Sequence, residues 1–249
     1  MSLNLKDAFV VRGTAEILRD ASMEVKAGSF VAICGPNGAG KSTALSLLDG
    51  SDTPSRGSVT LDGKPLARFP RRELARRRAV VPQRHHLSFP FHVHEVVAMG
   101  RMPHEGATTR ARDLEICREA MELMQVTPLA DRNYLTLSGG ERQRVMIARS
   151  LAQVWEEPER GHRYLLLDEP TAALDLKYQI ALMRLLADLA DGGWAVLAVL
   201  HDLALVKRWC SDVILMKDGT TAASGRPADL LTPETIAETF DLDEPYQLA

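Results

Sequence analysis

The segment Gly35-Pro36-Asn37-Gly38-Ala39-Gly40-Lys41-Ser42 constrains this chain more than any other, because it fits the pattern GxxxxGK[ST] without a departure. The run before it, Phe30-Val31-Ala32-Ile33-Cys34, is apolar, partly β-branched and short, which predicts a buried strand. From Lys41 to Leu48 the apolar spacing is helical and stops before Gly50. Strand, loop and helix therefore follow in the order in which such a loop binds phosphate. Its glycines let backbone N–H groups converge on phosphate oxygens, and the helix N-terminus adds partial positive charge. In that chemistry Lys41 reaches the β- and γ-phosphates, the Ser42 hydroxyl ligates Mg2+, and Thr43 continues the cradle. An ordinary Gly-rich turn is the competing reading, and the strand and helix on either side weigh against it.

A second chemical signal is Leu165-Leu166-Leu167-Asp168-Glu169, two acids directly after an apolar run that predicts a buried strand. At the C-terminal edge of a parallel sheet, where ligands bind, one acid can serve a metal and the other a water. Asp168 is the candidate for the Mg2+ shell, and Glu169 for orienting or deprotonating the attacking water. Alone, the pair could also cap a helix before Thr171, the weaker of the two readings. A third signal is Leu137-Ser138-Gly139-Gly140-Glu141-Arg142-Gln143, in which Ser138 and Glu141 form a capping box. Two glycines at a helix start are poor for helix propensity but good for close approach of an anion to exposed N–H groups.

Around these motifs the pattern alternates. Val59-Thr60-Leu61 before Asp62-Gly63 and Ala79-Val80-Val81 read as strands of an antiparallel edge sheet. From about Leu87 to Asn133 the apolar residues recur at helical spacing, and a long helix is predicted from Ser138 to about Val154. A polar loop, Trp155 to Arg163, leads to the strand at Tyr164. Then come helix Leu176 to Leu189, strand Ala195 to Leu200, helix Leu203 to Trp209 and strand Val213 to Met216, an alternation that implies a parallel sheet covered on both faces. Lys217-Asp218-Gly219-Thr220 predicts a hairpin, and Thr232-Pro233-Glu234 a helix cap.

Composition narrows the classes. The 249 residues suffice for one large domain or one domain with an inserted lobe. A formal charge of -3 gives no overall reason to bind nucleic acid. Arg68, Arg71, Arg72, Arg76, Arg77 and Arg78 crowd one stretch, read as a solvated helix face or a docking surface. Cys34, Cys117 and Cys210 form no CxxC pair, so neither a disulfide framework nor a zinc site is expected. No apolar run approaches the roughly 20 residues needed to cross a bilayer, and the N-terminus lacks a signal-peptide layout. A cytoplasmic chain is expected, with any membrane partner a separate protein.

Taken in order, the P-loop, Gln83, LSGGERQR from Leu137, LLLDEP from Leu165, Ala173-Leu174-Asp175 and His201 resemble the ATP-binding cassette family over nearly the whole chain. The resemblance implies an α/β P-loop NTPase cassette: a parallel core sheet flanked by helices, an antiparallel β subdomain and an inserted helical subdomain. It is expected as a single domain over 1–249, with the core at about 1–86 and 155–249 and the helical part at 87–154. ATP and Mg2+ are the implied cofactors, with Gln83 joining the γ-phosphate and Mg2+ to a transmembrane subunit. A head-to-tail homodimer is implied, in which Ser138, Gly139, Gly140 and Glu141 meet the γ-phosphate held by Lys41 of the partner subunit. His201 would touch that phosphate within its own subunit, and Asp175 would couple the two sites. The family commonly places an aromatic near the first strand to stack on adenine; here Phe9 is the nearby aromatic, and the preferred register puts Val11 or Arg12 there.

The segment from Leu87 to Arg101, followed by Pro103-His104, looks like the subgroup that powers bacterial uptake of iron chelates, heme and cobalamin. The loop from Trp155 to His162 and Leu200-His201-Asp202-Leu203 are most similar to heme-import subunits. The implied assembly adds two transmembrane permease subunits and a periplasmic binding protein, with this chain peripheral on the cytoplasmic face of the inner membrane. His85, His86, His92, His94 and His104 read as polar histidines of the docking surface rather than metal ligands. Rivals are a soluble cassette protein acting on ribosomes or DNA, and an exporter subunit; no second cassette or long coiled-coil insertion favours the first.

Overall fold

Alternation of buried and exposed side chains, interrupted after Leu5 and after Leu18, marks two long N-terminal strands, β1 (Ser2–Arg12) and β2 (Ala15–Lys26), with Leu3, Leu5, Ala8 and Val10 inward on one and Leu18, Ala21, Met23 and Val25 on the other. The computed structural model describes residues 1–83 and 87–248. Next come β3 (Ser29–Cys34), α1 (Lys41–Leu48), β4 (Arg56–Leu61) and β5 (Lys64–Pro65). Then follow α2 (Arg71–Arg77), β6 (Arg78–Val81), α3 (Val93–Ala98), α4 (Arg110–Leu123), α5 (Gly139–Gln153) and β7 (Tyr164–Asp168). The chain ends with α6 (Leu176–Asp191), β8 (Ala195–Val199), α7 (Leu203–Trp209), β9 (Asp212–Lys217), β10 (Thr220–Gly225), α8 (Pro227–Leu230) and α9 (Pro233–Phe240).

Contacts divide the chain into two units, Met1–Phe69 with Met183–Ala249, and Pro70–Leu182. In the first, β2, β1, β4 and β5 form an antiparallel sheet. Beside it β3 pairs in parallel with β8 and with β9, and β10 runs antiparallel to β9. Every residue of β3 and β8 is buried, as continuous apolar parallel strands require. The β9–β10 hairpin turns at Asp218 and Gly219, whose φ values of 48° and 78° are those of a two-residue turn matched to strand twist.

In the second unit β6 and β7 pair in parallel, Arg78 opposite Tyr164 through Val81 opposite Leu167. The expected antiparallel edge sheet thus holds for β4 but not for Ala79-Val80-Val81, whose partner lies far along the chain. The helical segment expected at 87–154 falls wholly within this unit. The arginine stretch is an internal staple as much as a solvated face: Nε of Arg72 and of Arg76 each donate to the Pro103 carbonyl at 2.8 Å, and Arg77 is buried. Arg101 is buried too, donating to Asp113 at 2.8 Å, the Ala152 carbonyl at 2.7 Å and Glu156 at 2.6 Å. This ties the loop beginning at Trp155 to α4 and α5, where a lone buried guanidinium would be costly.

His104 corrects one expectation. It is not a surface histidine but is buried, its Nε2–H donating to the Gln153 carbonyl at 2.8 Å. His92 and His94 are exposed, while His85 and His86 lie outside the described residues. Burial pushes the His104 pKa down; the Gln153 carbonyl and the Glu156 carboxylate pull the other way, and the Arg101 and Arg76 cations add to the depression. All three cysteines are buried free thiols, and burial pushes Cys34 up to about 12 and Cys117 to about 11.

The His104 shift has a sign that can be checked. Its folded value lies below the ordinary 6.5, so the unfolded chain takes the proton more readily. The stability it confers is complete above 6.5 and is lost as pH falls toward the folded value. Urea midpoints measured from about pH 7 down to about pH 5 will fall more steeply for the wild type than for His104→Gln.

Candidate nucleotide-binding site

Helix α1 begins without help from its own sequence. Gly40 at the N-cap offers no side-chain acceptor, and the first turn contains no acid, so its leading N–H groups are left for an anion from outside the chain. Gly40 also has φ 95°, and a Cβ there would lie 2.6 Å from the Leu18 side chain, so β2 and the loop can only approach this closely around glycine. Lys41 is buried, and its Nζ donates to the carbonyls of Gly35 and Pro36 at 2.8 Å each, which folds the ammonium back over the loop. Asn37, Gly38 and Ser42 are exposed, Pro36 and Thr43 are half-buried, and Ala39 is buried with its carbonyl accepting from Gly219 N–H at 3.2 Å. The first unit thus presents a loop whose amides and lysine converge and whose strand and hairpin neighbours hold it in place. His201 is exposed in the same unit, directly after β8 and Leu200. The cap of α7 is Asp202 instead, accepting from Ala204 and Leu205 N–H at 2.9 and 3.1 Å.

In the second unit, helix α5 starts differently. Ser138 Oγ accepts from Glu141 N–H at 3.3 Å and donates to the Glu141 carboxylate at 2.8 Å, which also takes the Ser138 N–H at 2.8 Å. These bonds, the backbone one first, hold the Glu141 carboxyl below its usual range. The capping box leaves the N–H groups of Gly139 and Gly140 outside its reciprocal pair. Gly140 is required by proximity: a Cβ would sit 2.8 Å from the Ala173 carbonyl. The segments Ser138–Glu141 and Ala173–Asp175 therefore line one cleft of about 510 Å³, with Arg144 and Tyr178 on its wall. Arg144 is fixed there by the Met124 and Gln125 carbonyls at 3.0 and 2.7 Å, and lies 4.0 Å over the Tyr178 ring. Asp175 caps α6, accepting the Tyr178 N–H at 3.1 Å. Arg144 stood inside the sequence motif but Tyr178 did not, and only the arginine beside the glycines could have signalled it.

Asp168 is buried as the last residue of β7, and Glu169 follows with φ 48°. A non-glycine residue in the left-handed region directly before Pro170 is strained, at a cost of about 1–3 kcal/mol. Strain of this kind at the end of a buried strand is expected where a side chain must be aimed. Gln83 is exposed just beyond β6 and Pro82. Of the oxygen donors that a hard ion such as Mg2+ prefers, the first unit offers the Ser42 hydroxyl and the second the Asp168 carboxylate and the Gln83 amide. Among the described residues no three or more His, Cys, Asp and Glu side chains group as metal ligands. One carboxylate completed by substrate phosphates is how Mg2+ is usually held. Relieving the strain gives a test: Glu169→Gly will raise stability to chemical denaturation by about 1 kcal/mol while removing ATP turnover.

Known proteins match this architecture. The sequence profile described as ABC transporter matches residues 18–172. A hemin import ATP-binding protein, HmuV, of Gloeobacter violaceus is 50% identical over 226 residues, covering 91% of this chain and 82% of that protein. Among solved structures, a metal-chelate type ABC transporter in an inward-facing conformation superposes with TM-score 0.79 at 28% identity, covering 96% of this chain and 89% of that one. A dimeric ATP-binding cassette in a post-hydrolysis state with ADP and Pi superposes with TM-score 0.78 at 28% identity, covering 90% and 98%. With the motifs in order and the matches spanning nearly its full length, the chain belongs to the ABC transporter family.

Proposed function

We propose that this chain is the ATP-hydrolysing subunit of a bacterial importer for hemin, acting as a homodimer beneath two permease subunits supplied by a periplasmic binding protein. The observation that carries the motor is the uncapped α1 N-terminus with Lys41 folded over its glycine loop, a preformed anion cradle. The cargo reading rests on the 50% identity to a protein named for hemin import. No helix among the described residues is long and apolar enough to cross a membrane, which fits a peripheral subunit that relies on separate permease chains. Ferric siderophore or cobalamin would use the same motor with another permease, and the likeness to a metal-chelate transporter keeps these in the test.

In this mechanism the loop amides from Gly35 to Ser42 and the Lys41 ammonium hold the β- and γ-phosphates. Ser42, Asp168 and Gln83 are the oxygen donors for Mg2+, which when bound neutralises charge developing on the phosphates. Glu169, aimed by its strained backbone, orients the attacking water and takes its proton. His201 fixes the γ-phosphate from its own chain. Ser138, Gly139, Gly140 and Glu141 offer the second helix N-terminus to the nucleotide of the other copy, and Asp175 links the two sites.

Glu169→Gln will keep ATP binding and lose about 10²–10⁴-fold in turnover, as removal of a positioned base does. Near-normal steady-state hydrolysis would take Glu169 out of this role. Lys41→Ala will weaken ATP binding itself in an equilibrium titration. For the cargo, proteoliposomes holding the complex with its permease subunits should accumulate hemin in an ATP-dependent way. Uptake of a ferric siderophore or cobalamin without hemin would overturn the cargo and keep the motor.

A further inference from the structure

Arg144 is buried, yet no carboxylate of a described residue lies within ion-pair distance of its guanidinium, and its Nε makes no hydrogen bond. A buried cation placed in this way is costly unless other groups offset its charge. Two carbonyls contribute: Met124 and Gln125 accept from its Nη1 at 3.0 and 2.7 Å, at the C-terminal end of α4 where the helix dipole is negative. The remaining partner is the Tyr178 ring, whose centroid is 4.0 Å from the guanidinium carbon, close enough for a cation–π contact. The carbonyls tie the cation of α5 to α4, so the ring that covers it is tied to the same pair of helices.

Tyr178 stands in the first turn of α6, and its surroundings carry that anchor back along the chain. Its N–H donates to the Asp175 carboxylate at 3.1 Å. The next residue, Gln179, donates from Nε2 to the Thr171 and Leu174 carbonyls at 3.2 and 2.9 Å. Leu174 N–H donates to the Thr171 carbonyl at 3.1 Å, and Ala172 N–H to the Glu169 carbonyl at 3.3 Å. The segment from Glu169 to Asp175 is therefore bonded turn by turn to the start of α6. Its fit against α5 is close, since a Cβ on Gly140 would lie 2.8 Å from the Ala173 carbonyl. A small slide of the segment would either drive it into α5 or open the cleft between them. The strained backbone of Glu169, at φ 48°, also keeps its conformation only if its surroundings hold it.

Resting on the ATP-hydrolysing role proposed above, we propose that Tyr178 is a positioning residue for hydrolysis: its ring, held on Arg144, keeps the segment carrying Glu169 and Asp175 in register with the glycines that begin α5. Tyr178 acts through the segment it anchors and not by touching the nucleotide. Steady-state ATP hydrolysis and equilibrium Mg-ATP titration of the full chain, compared among the wild type, Tyr178→Phe and Tyr178→Leu, test this. Phenylalanine keeps the π face and loses the hydroxyl, whereas leucine keeps apolar bulk and loses the face. Tyr178→Phe will stay within about twofold of the wild-type kcat, and Tyr178→Leu will lose about five- to thirtyfold, the rate equivalent of a partly desolvated cation–π contact. In both variants KM, ATP affinity and the number of sites bound per chain will equal those of the wild type, because the phosphate cradle belongs to the other unit. The unchanged number of sites also reports an intact fold. A wild-type kcat in Tyr178→Leu, or a Tyr178→Phe chain as slow as Tyr178→Leu, overturns the positioning role alone. A Tyr178→Leu chain whose kcat and number of sites fall together makes Tyr178 a packing residue and overturns it as well. Failure of the wild type to bind ATP overturns the nucleotide-binding reading itself.

Discussion

A helix N-terminus left uncapped by its own chain is the constraint on which the rest of this structure depends. Helix α1 has no side-chain cap and no acid in its first turn, and the buried Lys41 donates to the carbonyls of Gly35 and Pro36. Such an arrangement is poor for the stability of an isolated helix. It persists because fully buried β3, paired on both sides with parallel strands, fixes where the loop begins, and because Leu18 and the Gly219 N–H pin the loop from outside. Stability is supplied by the sheet so that the amides can remain available for phosphate.

Helix α5 shows the contrasting solution. Its capping box satisfies Ser138 and Glu141 against each other, and the glycines between them bring the backbone close to Ala173. One helix end therefore waits for an anion with a lysine at hand, and the other presents amides already bordered by an acid. The difference in charge suits a division in which α1 carries the nucleotide and α5 meets it only after ATP has brought its own negative charge. Glu169 follows the same logic on a smaller scale, since backbone strain at φ 48° is tolerated at the end of a strand that is buried along its length.

How much of this could be read from the sequence depended on how local the physics is. The P-loop, the capping box, the turn at Asp218-Gly219 and the cap at Thr232 were legible because each is decided within a few residues. The helix from Lys41 to Leu48 falls on the predicted residues for the same reason. Ala79-Val80-Val81 was assigned to an antiparallel sheet because its partner, Tyr164–Asp168, is more than eighty positions away and leaves no trace in local pattern. The long strand β1 changes register against β2 near Leu5, Ala8 and Val10, which blurs the alternation that would have announced it. Burial of Arg101 and His104 was illegible, since it is set by partners such as Ala152 and Gln153 brought in by the tertiary fold.

The central claim is that ATP held by the cradle of one copy is completed by the signature helix of another. Sedimentation of the hydrolysis-deficient Glu169→Gln chain with and without Mg-ATP tests it most directly. The account predicts a monomer without nucleotide and a dimer at saturating Mg-ATP, with the Ser138→Arg form of the same chain remaining monomeric while still binding ATP. A chain that binds ATP fully yet stays monomeric, or a dimer indifferent to Ser138→Arg, would contradict it.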